Sequence, residues 1–163
     1  MTVIMEGSRP LVAEIQTLAS ESSFAYPKRA GIGLGANKIG MLLAVLQSRC
    51  ALPSLRDDIY CNVAGGLEIH DPGADLALAA SMASALTGRN VLSECCLIGE
   101  VGLAGEVRPV SGLAQRLREA ARLGFKRAVV SSREEKPRLD AEIELIRVLS
   151  VGEALARASV VEP

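Results

Sequence analysis

Hydrophobic and polar positions alternate at the start of the chain and predict a β-hairpin. Residues 1–5 are mostly apolar, residues 6–10 contain turn-forming types, and residues 11–17 alternate between apolar and polar side chains. A period of two residues is the pattern of a half-buried strand, and a polar segment between two such runs is the pattern of a hairpin turn. We therefore expect two antiparallel strands in the first seventeen residues.

Four later segments predict helices. Their apolar residues recur at helical spacing or, in the second segment, small side chains cover every face. The predicted helices span residues 38–49, 75–86, 113–123 and 151–157. The first three have predicted N-caps, because a short side chain with an oxygen acceptor binds the free amides at a helix N-terminus; these are Asn37, Asp75 and Ser111. Gly124 is placed to end the third helix.

Short apolar runs between the helices predict strands. They lie at residues 59–63, 95–98, 126–130 and 145–148, and residues 99–107 look like two short strands joined by a turn. Residues 19–37 are polar and glycine-rich and predict a loop or an irregular edge segment. Since strands and helices alternate in the second half, we expect one α/β or α+β domain with a mixed sheet.

Charge and composition exclude two function classes. The 163 residues carry 18 basic and 19 acidic side chains, and the net charge of −1 excludes a globally basic nucleic-acid binder but not a local basic patch. The chain has two Phe, two Tyr and no Trp, which is too few rings for a surface that stacks nucleic-acid bases.

The sequence lacks the usual patterns of a metal site and of a membrane span. The cysteines (Cys50, Cys61, Cys95 and Cys96) form no pair with two intervening residues, and His70 is the single histidine. We therefore expect no metal site, and reduced, mostly buried thiols in a cytoplasmic protein. The longest apolar run, residues 76–86, is shorter than a membrane-spanning helix, and no targeting segment is visible.

Two clusters of basic residues are candidates for contact with a nucleic-acid backbone. The first contains Arg108, Arg116, Arg118 and Arg122, and the second contains Lys28, Arg29 and Lys38. Arg118 and Arg122 are four residues apart, so they share one face of the third predicted helix. Contacts to phosphates need no aromatic residues and carry no sequence preference. An ordinary solvated face is the alternative interpretation.

Five segments resemble a known family: residues 6–11, 62–66, 71–77, 99–110 and 115–127. The most specific reads Gly-Glu-Val-Gly-Leu-Ala-Gly-Glu-Val-Arg-Pro-Val at residues 99–110. Together they resemble the proteolytic domain of Lon-type proteases and, more closely, the C-terminal Lon-like domain of the RadA (Sms) family of bacterial DNA repair proteins. The resemblance implies the α+β fold of the Lon proteolytic domain, which is like domain 2 of ribosomal protein S5, across residues 1–163.

The resemblance also implies where a catalytic dyad would lie. Lon-type proteases use a Ser nucleophile in a turn that opens a helix and a Lys general base after a Gly-Gly-Leu segment. Gly73 stands at the position of the serine, and Ala114 stands at that of the lysine. Because Ser–Lys catalysis needs both side chains, we expect no catalytic residues in this chain.

We expect, by the same resemblance, a module of a longer protein that also contains a zinc finger and a RecA-like ATPase. Zinc, ATP and magnesium would belong to those absent domains, leaving no cofactor here. The expected partners are further copies of the chain in a hexameric ring, single- or double-stranded DNA, and recombination proteins. The expected role is a ring-forming scaffold that contacts DNA, and the alternative is an ATP-dependent Lon-type serine peptidase.

Overall fold

The computed structural model describes residues 1–23, 26–52, 56–135 and 137–158, and within them the chain forms ten strands, four α-helices and two single 3-10 turns. The strands are β1 Thr2–Glu6, β2 Arg9–Ala13, β3 Ile15–Glu21, β4 Arg29–Ile32, β5 Asp57–Val63, β6 Cys95–Leu97, β7 Glu100–Val101, β8 Val107–Arg108, β9 Arg127–Ser131 and β10 Glu144–Val148. The helices are α1 Ala36–Cys50, α2 Asp75–Thr87, α3 Leu113–Arg122 and α4 Val151–Arg157.

The strands form two hairpins and two three-stranded sheets. β1 pairs with β2 and β7 pairs with β8, both antiparallel. One sheet has the order β3-β5-β4 and is mixed, because β3 is antiparallel and β4 is parallel to β5. The other has the order β10-β9-β6 and is parallel throughout. The predicted mixed α+β fold is confirmed.

Two apolar cores hold these layers together. In the larger core, α2 packs against β3, α1 and α4, and it is buried on most sides because its alanines allow close approach. In the smaller core, α3 places Leu113, Leu117 and Ala120 against residues of β1, β6 and β9. The second core therefore attaches α3 to the first strand of the chain.

The strand predictions need two corrections. The alternating segment 11–17 is not one strand: β2 ends at Ala13, and β3 begins at Ile15 and pairs with β5 instead of β1. Residues 19–37 also contain the end of β3 and all of β4. Pairing with the central strand β5 gives these polar residues backbone partners that local sequence patterns do not reveal.

The helix limits agree with prediction to within about two residues, but the predicted N-caps are wrong. Gly35 is the N-cap of α1 and Gly112 that of α3, both without a side-chain hydrogen bond. Gly112 has a φ of +69°, which favours glycine. Asp75 is the first residue of α2 and not its cap. Among the described residues, no helix is long and apolar enough to span a membrane.

Candidate functional site

Gly73, at the position expected for a serine nucleophile, is buried in a single 3-10 turn that leads into α2. The Asp71 carboxylate caps this turn, and its Oδ1 accepts a hydrogen bond of 2.8 Å from the Gly73 amide. A Cβ atom on Gly73 would lie 2.8 Å from Nη1 of Arg116 and 3.0 Å from Oδ1 of Asp71. The turn therefore lacks a nucleophile and has other side chains where one would stand.

Arg116 fills this space as a buried cation that is 1% exposed. Its guanidinium binds both carboxylate oxygens of Asp71, with Nη1–Oδ2 at 2.6 Å and Nη2–Oδ1 at 3.2 Å. Nη1 also donates to the carbonyl of Val3 at 2.7 Å, and Nε donates to the carbonyl of Ser111 at 2.9 Å. A fork with this many partners is held firmly in one geometry.

Arg116 was expected on the exposed basic face of α3, and its burial corrects that expectation. Residues 113, 116, 117 and 120 are the buried residues of this helix, at the spacing of one helical face. The sequence contained this signal, because Arg116 lies on the same stripe as Leu113 and Leu117. The charge of Arg116 alone does not reveal that it faces the core. Arg116 is therefore not available for contact with a phosphate.

Asp71 accepts hydrogen bonds from several groups around Gly73. Besides Arg116 and the amide of Gly73, it accepts a hydrogen bond of 2.6 Å from the amide of Met5. Burial by itself raises the pKa of Asp71, but the hydrogen bonds from Arg116, Met5 and Gly73 outweigh it and lower the pKa below its ordinary value. The carboxylate therefore stays ionised and cannot act as a proton donor at neutral pH.

The position expected for a general base also carries no group that could accept a proton. Ala114 is half-buried on α3 and offers only a methyl group. A cysteine thiol could replace a serine as nucleophile, but the two adjacent cysteines are unsuitable. Cys95 and Cys96 are buried, and burial raises the pKa of Cys96 to about 12. A thiol with that pKa is protonated at neutral pH and is a poor nucleophile.

A second ion pair lies at the start of α2, on the other side of the turn. Nζ of Lys38 is 3.0 Å from Oδ1 and 3.1 Å from Oδ2 of Asp75, whose side chain is buried. Burial raises the pKa of Asp75, and the Lys38 ammonium partly opposes this shift. Lys38, a predicted DNA contact, therefore has its charge balanced by a buried carboxylate.

The other predicted basic residues reach the surface to different degrees. Arg118 and Arg122 are exposed on α3, as their spacing predicts; Arg118 pairs with Asp140 and Arg122 pairs with Glu119. Arg108 is exposed on β8, with Glu106 at 2.6 Å and Glu100 at 3.1 Å.

The second basic cluster is less open to solvent than the first. Lys28 is exposed, whereas Arg29 is half-buried and donates to the carbonyl of Asp57. Lys38 forms an ion pair with Asp75. Arg118 and Arg122 are thus the two predicted contacts that combine exposure with a shared helix face.

Comparisons with known proteins agree with the motifs. Residues 55–158 match the family described as Lon protease (S16) C-terminal proteolytic domain. The chain is 42% identical over 163 residues to the DNA repair protein RadA of Synechocystis, covering 100% of this chain and 32% of that protein.

Two further relatives with the same name come from other bacteria. The DNA repair protein RadA of Bacillus subtilis is 43% identical over 159 residues, covering 95% of this chain and 34% of that protein. That of Escherichia coli is 39% identical over 154 residues, covering 94% of this chain and 34% of that protein. The chain thus spans about a third of the length of these curated relatives.

Proposed function

Because the chain belongs to the family of the Lon protease C-terminal proteolytic domain, we propose that it is a non-catalytic Lon-like module of a cytoplasmic, RadA-type DNA repair protein. In this role it forms a ring with further copies of itself and contacts the DNA backbone. The observation that carries the proposal is the occupation of the dyad position: Gly73 has no side chain, Arg116 fills the space beside it, and Ala114 has no base.

The proposal assigns zinc, ATP and magnesium chemistry to other parts of the longer protein. Hydrolysis of ATP there would supply the energy, and this module would hold neighbouring subunits in register on DNA. Symmetry multiplies a small patch, because each copy in a closed ring presents the same residues. Two exposed arginines on each subunit then form a repeated positive surface even at a net charge of −1.

The DNA-contacting part is tested by fluorescence anisotropy with labelled single- and double-stranded DNA over a range of salt concentrations. Reversing both charges in R118E/R122E should weaken DNA binding at least about tenfold at low salt. The slope of log affinity against log salt concentration should also become shallower, as expected for the loss of roughly two phosphate contacts. Single- and double-stranded DNA should bind more weakly to a similar degree whatever their sequence, since phosphate contacts carry no sequence information.

A matched control is R157E on α4. Arg157 is exposed and paired with Glu153 four residues earlier, just as Arg122 is paired with Glu119. R157E changes the net charge in the same direction but removes no proposed contact, so it should bind nearly as wild type. Equal loss in R157E, or no loss in R118E/R122E, would reject the α3 face as the DNA contact.

The ring-forming part is tested by sedimentation velocity at tens of micromolar. The apolar residue that we propose for the contact between copies is Leu103, which is 70% exposed at the tip of the β7–β8 hairpin. Val107, on β8 of the same hairpin, is fully buried and is not available for such a contact. L103K should shift the protein toward monomer, whereas the control L149K, at another exposed leucine, should not. A wild-type chain that is strictly monomeric would count against an autonomous ring.

A further inference from the structure

We propose that Gly73 and Arg116 form one coupled unit: the guanidinium occupies the volume that any side chain at position 73 would need. A nucleophile therefore cannot return to this turn while the Asp71–Arg116 pair is in place. The coupling rests on contacts within the chain, and only its meaning for hydrolysis rests on the proposed function.

The close contact at Gly73 cannot be relieved by a simple rotation of Arg116. A Cβ on residue 73 would approach Nη1 at 2.8 Å and Cζ at 3.2 Å. The end of an arginine ordinarily swings away from such a contact, but here Nε, Nη1 and Nη2 all donate hydrogen bonds. Moving the guanidinium would separate two buried charges and leave Asp71 without its partner.

Backbone conformation does not explain the glycine. Eight glycines of the described chain have a positive φ, among them Gly112 and Gly124, and Gly73 is not one of them. An alanine or a serine at position 73 would therefore adopt the observed backbone without conformational strain. Space alone requires a glycine there, and the atoms that limit the space belong to Arg116 and Asp71.

For this reason, the absence of a side chain at position 73 and the presence of the Arg116 guanidinium beside it depend on each other. A serine hydroxyl would extend beyond the Cβ that already meets Nη1, so restoring Ser at 73 and Lys at 114 leaves the arginine in the way. The space beside Gly73 is instead occupied by an anchor that joins β1 and α3 to the turn before α2.

The coupling is tested by thermal unfolding of four proteins: wild type, G73A, D71N/R116M and G73A/D71N/R116M. Replacing both partners removes the guanidinium without leaving an unpaired buried charge. In the wild-type background, G73A should lower Tm by at least about 3 °C, the loss expected of overpacking in a domain of this size. In the pair-replaced background, the loss should fall to about half of that or less, because the contact with the guanidinium is gone while D71N keeps an oxygen near that Cβ.

G40A is the control, because a Cβ on Gly40 in the middle of α1 meets no atom within 4 Å. It should leave Tm unchanged or raised in both backgrounds, since alanine is favoured over glycine in a helix. An equal loss from G73A in both backgrounds, or no loss in wild type, would overturn the proposal.

R116K gives a second background if the double replacement does not fold. It keeps a positive charge beside Asp71 but lacks the two terminal nitrogens, including the Nη1 that a Cβ at 73 would meet. The loss of Tm caused by G73A should be smaller in R116K than in wild type. A loss of the same size would overturn the coupling, and no result of these measurements depends on DNA binding or ring formation.

Discussion

Arg116 connects three segments that are far apart in the chain. It binds Val3 on β1, Asp71 before α2 and the carbonyl of Ser111 at the start of its own helix. The pair with Asp71 is shielded from solvent, since the side chains are 1% and 10% exposed. A buried pair contributes little net stability compared with an apolar replacement of both residues, but removing one partner leaves an uncompensated charge.

The first prediction follows at this scale. R116M should lower the free energy of unfolding by about 3–5 kcal/mol, because Asp71 then remains buried without its cation. The control R118M removes an exposed guanidinium from the same helix and should leave stability nearly unchanged. Urea unfolding followed by circular dichroism measures both. Equal, small effects in the two variants would show that the buried pair is not the anchor described here.

Asp71 predicts a pH dependence of stability. Its pKa is lowered in the folded state, so its ionised form contributes stability that is complete above the ordinary Asp pKa of about 3.9 and is lost as pH falls through the folded-state pKa. The stability difference between wild type and D71N should therefore be constant from about pH 7 to pH 5 and shrink below about pH 4. A difference that grows as the pH falls below about 7 would indicate a raised pKa, and a difference that stays constant below about pH 4 would indicate an ordinary one; either result would contradict the prediction.

At the scale of elements, the helices differ in how they begin. α1 and α3 start at glycines without side-chain caps, whereas α4 has a reciprocal cap. The Ser150 hydroxyl accepts a hydrogen bond from the Glu153 amide, and the Glu153 carboxylate accepts one of 2.8 Å from the Leu149 amide. This arrangement is close to the capping box of a Ser-x-x-Glu sequence. Since α4 has only seven residues, its start matters for its stability.

The prediction at this scale is that S150A lowers the free energy of unfolding by about 0.5–2 kcal/mol, the usual cost of losing an N-cap side chain. S48A is the matched control, because Ser48 is exposed inside α1 and alanine is at least as favourable there. Thermal or urea unfolding compares the two. A loss in S48A as large as that in S150A would show that capping is not its cause.

For the whole molecule, several surface arginines are balanced by nearby carboxylates. Arg108, Arg118, Arg122, Arg127 and Arg157 each lie within 4 Å of a carboxylate. DNA binding by α3 would exchange such carboxylates for phosphates, so the contact should be weak in one copy and sensitive to salt. A ring of copies is the arrangement in which weak, repeated contacts add up.

The final prediction concerns hydrolysis by the whole chain. Wild type should not degrade casein, and G73S/A114K should not gain activity, because Arg116 still fills the space beside residue 73. Release of labelled casein peptides over several hours measures both. Hydrolysis by the wild-type chain that a single point substitution abolishes would restore the serine peptidase as the function of this protein.

Local patterns in the sequence determined most of the elements, because helix and strand periodicity depends on which side of a segment meets the core. The hairpin β1–β2, the limits of α2 and α4, and the exposure of Arg118 and Arg122 all follow from it. The family motifs, by position alone, predicted that Gly73 and Ala114 stand where a Lon-type protease has its serine and lysine.

The tertiary structure decided what no local pattern contains. The pairing of β3 with β5 joins residues more than thirty positions apart, and the Arg116–Asp71 pair joins residues 45 positions apart. An arginine on an amphipathic helix can be buried where a carboxylate lies close to it in the core, because an unpaired charge is unstable there. The sequence has a glycine where the family motif predicts a serine, and the structure shows that the Arg116 guanidinium lies beside it.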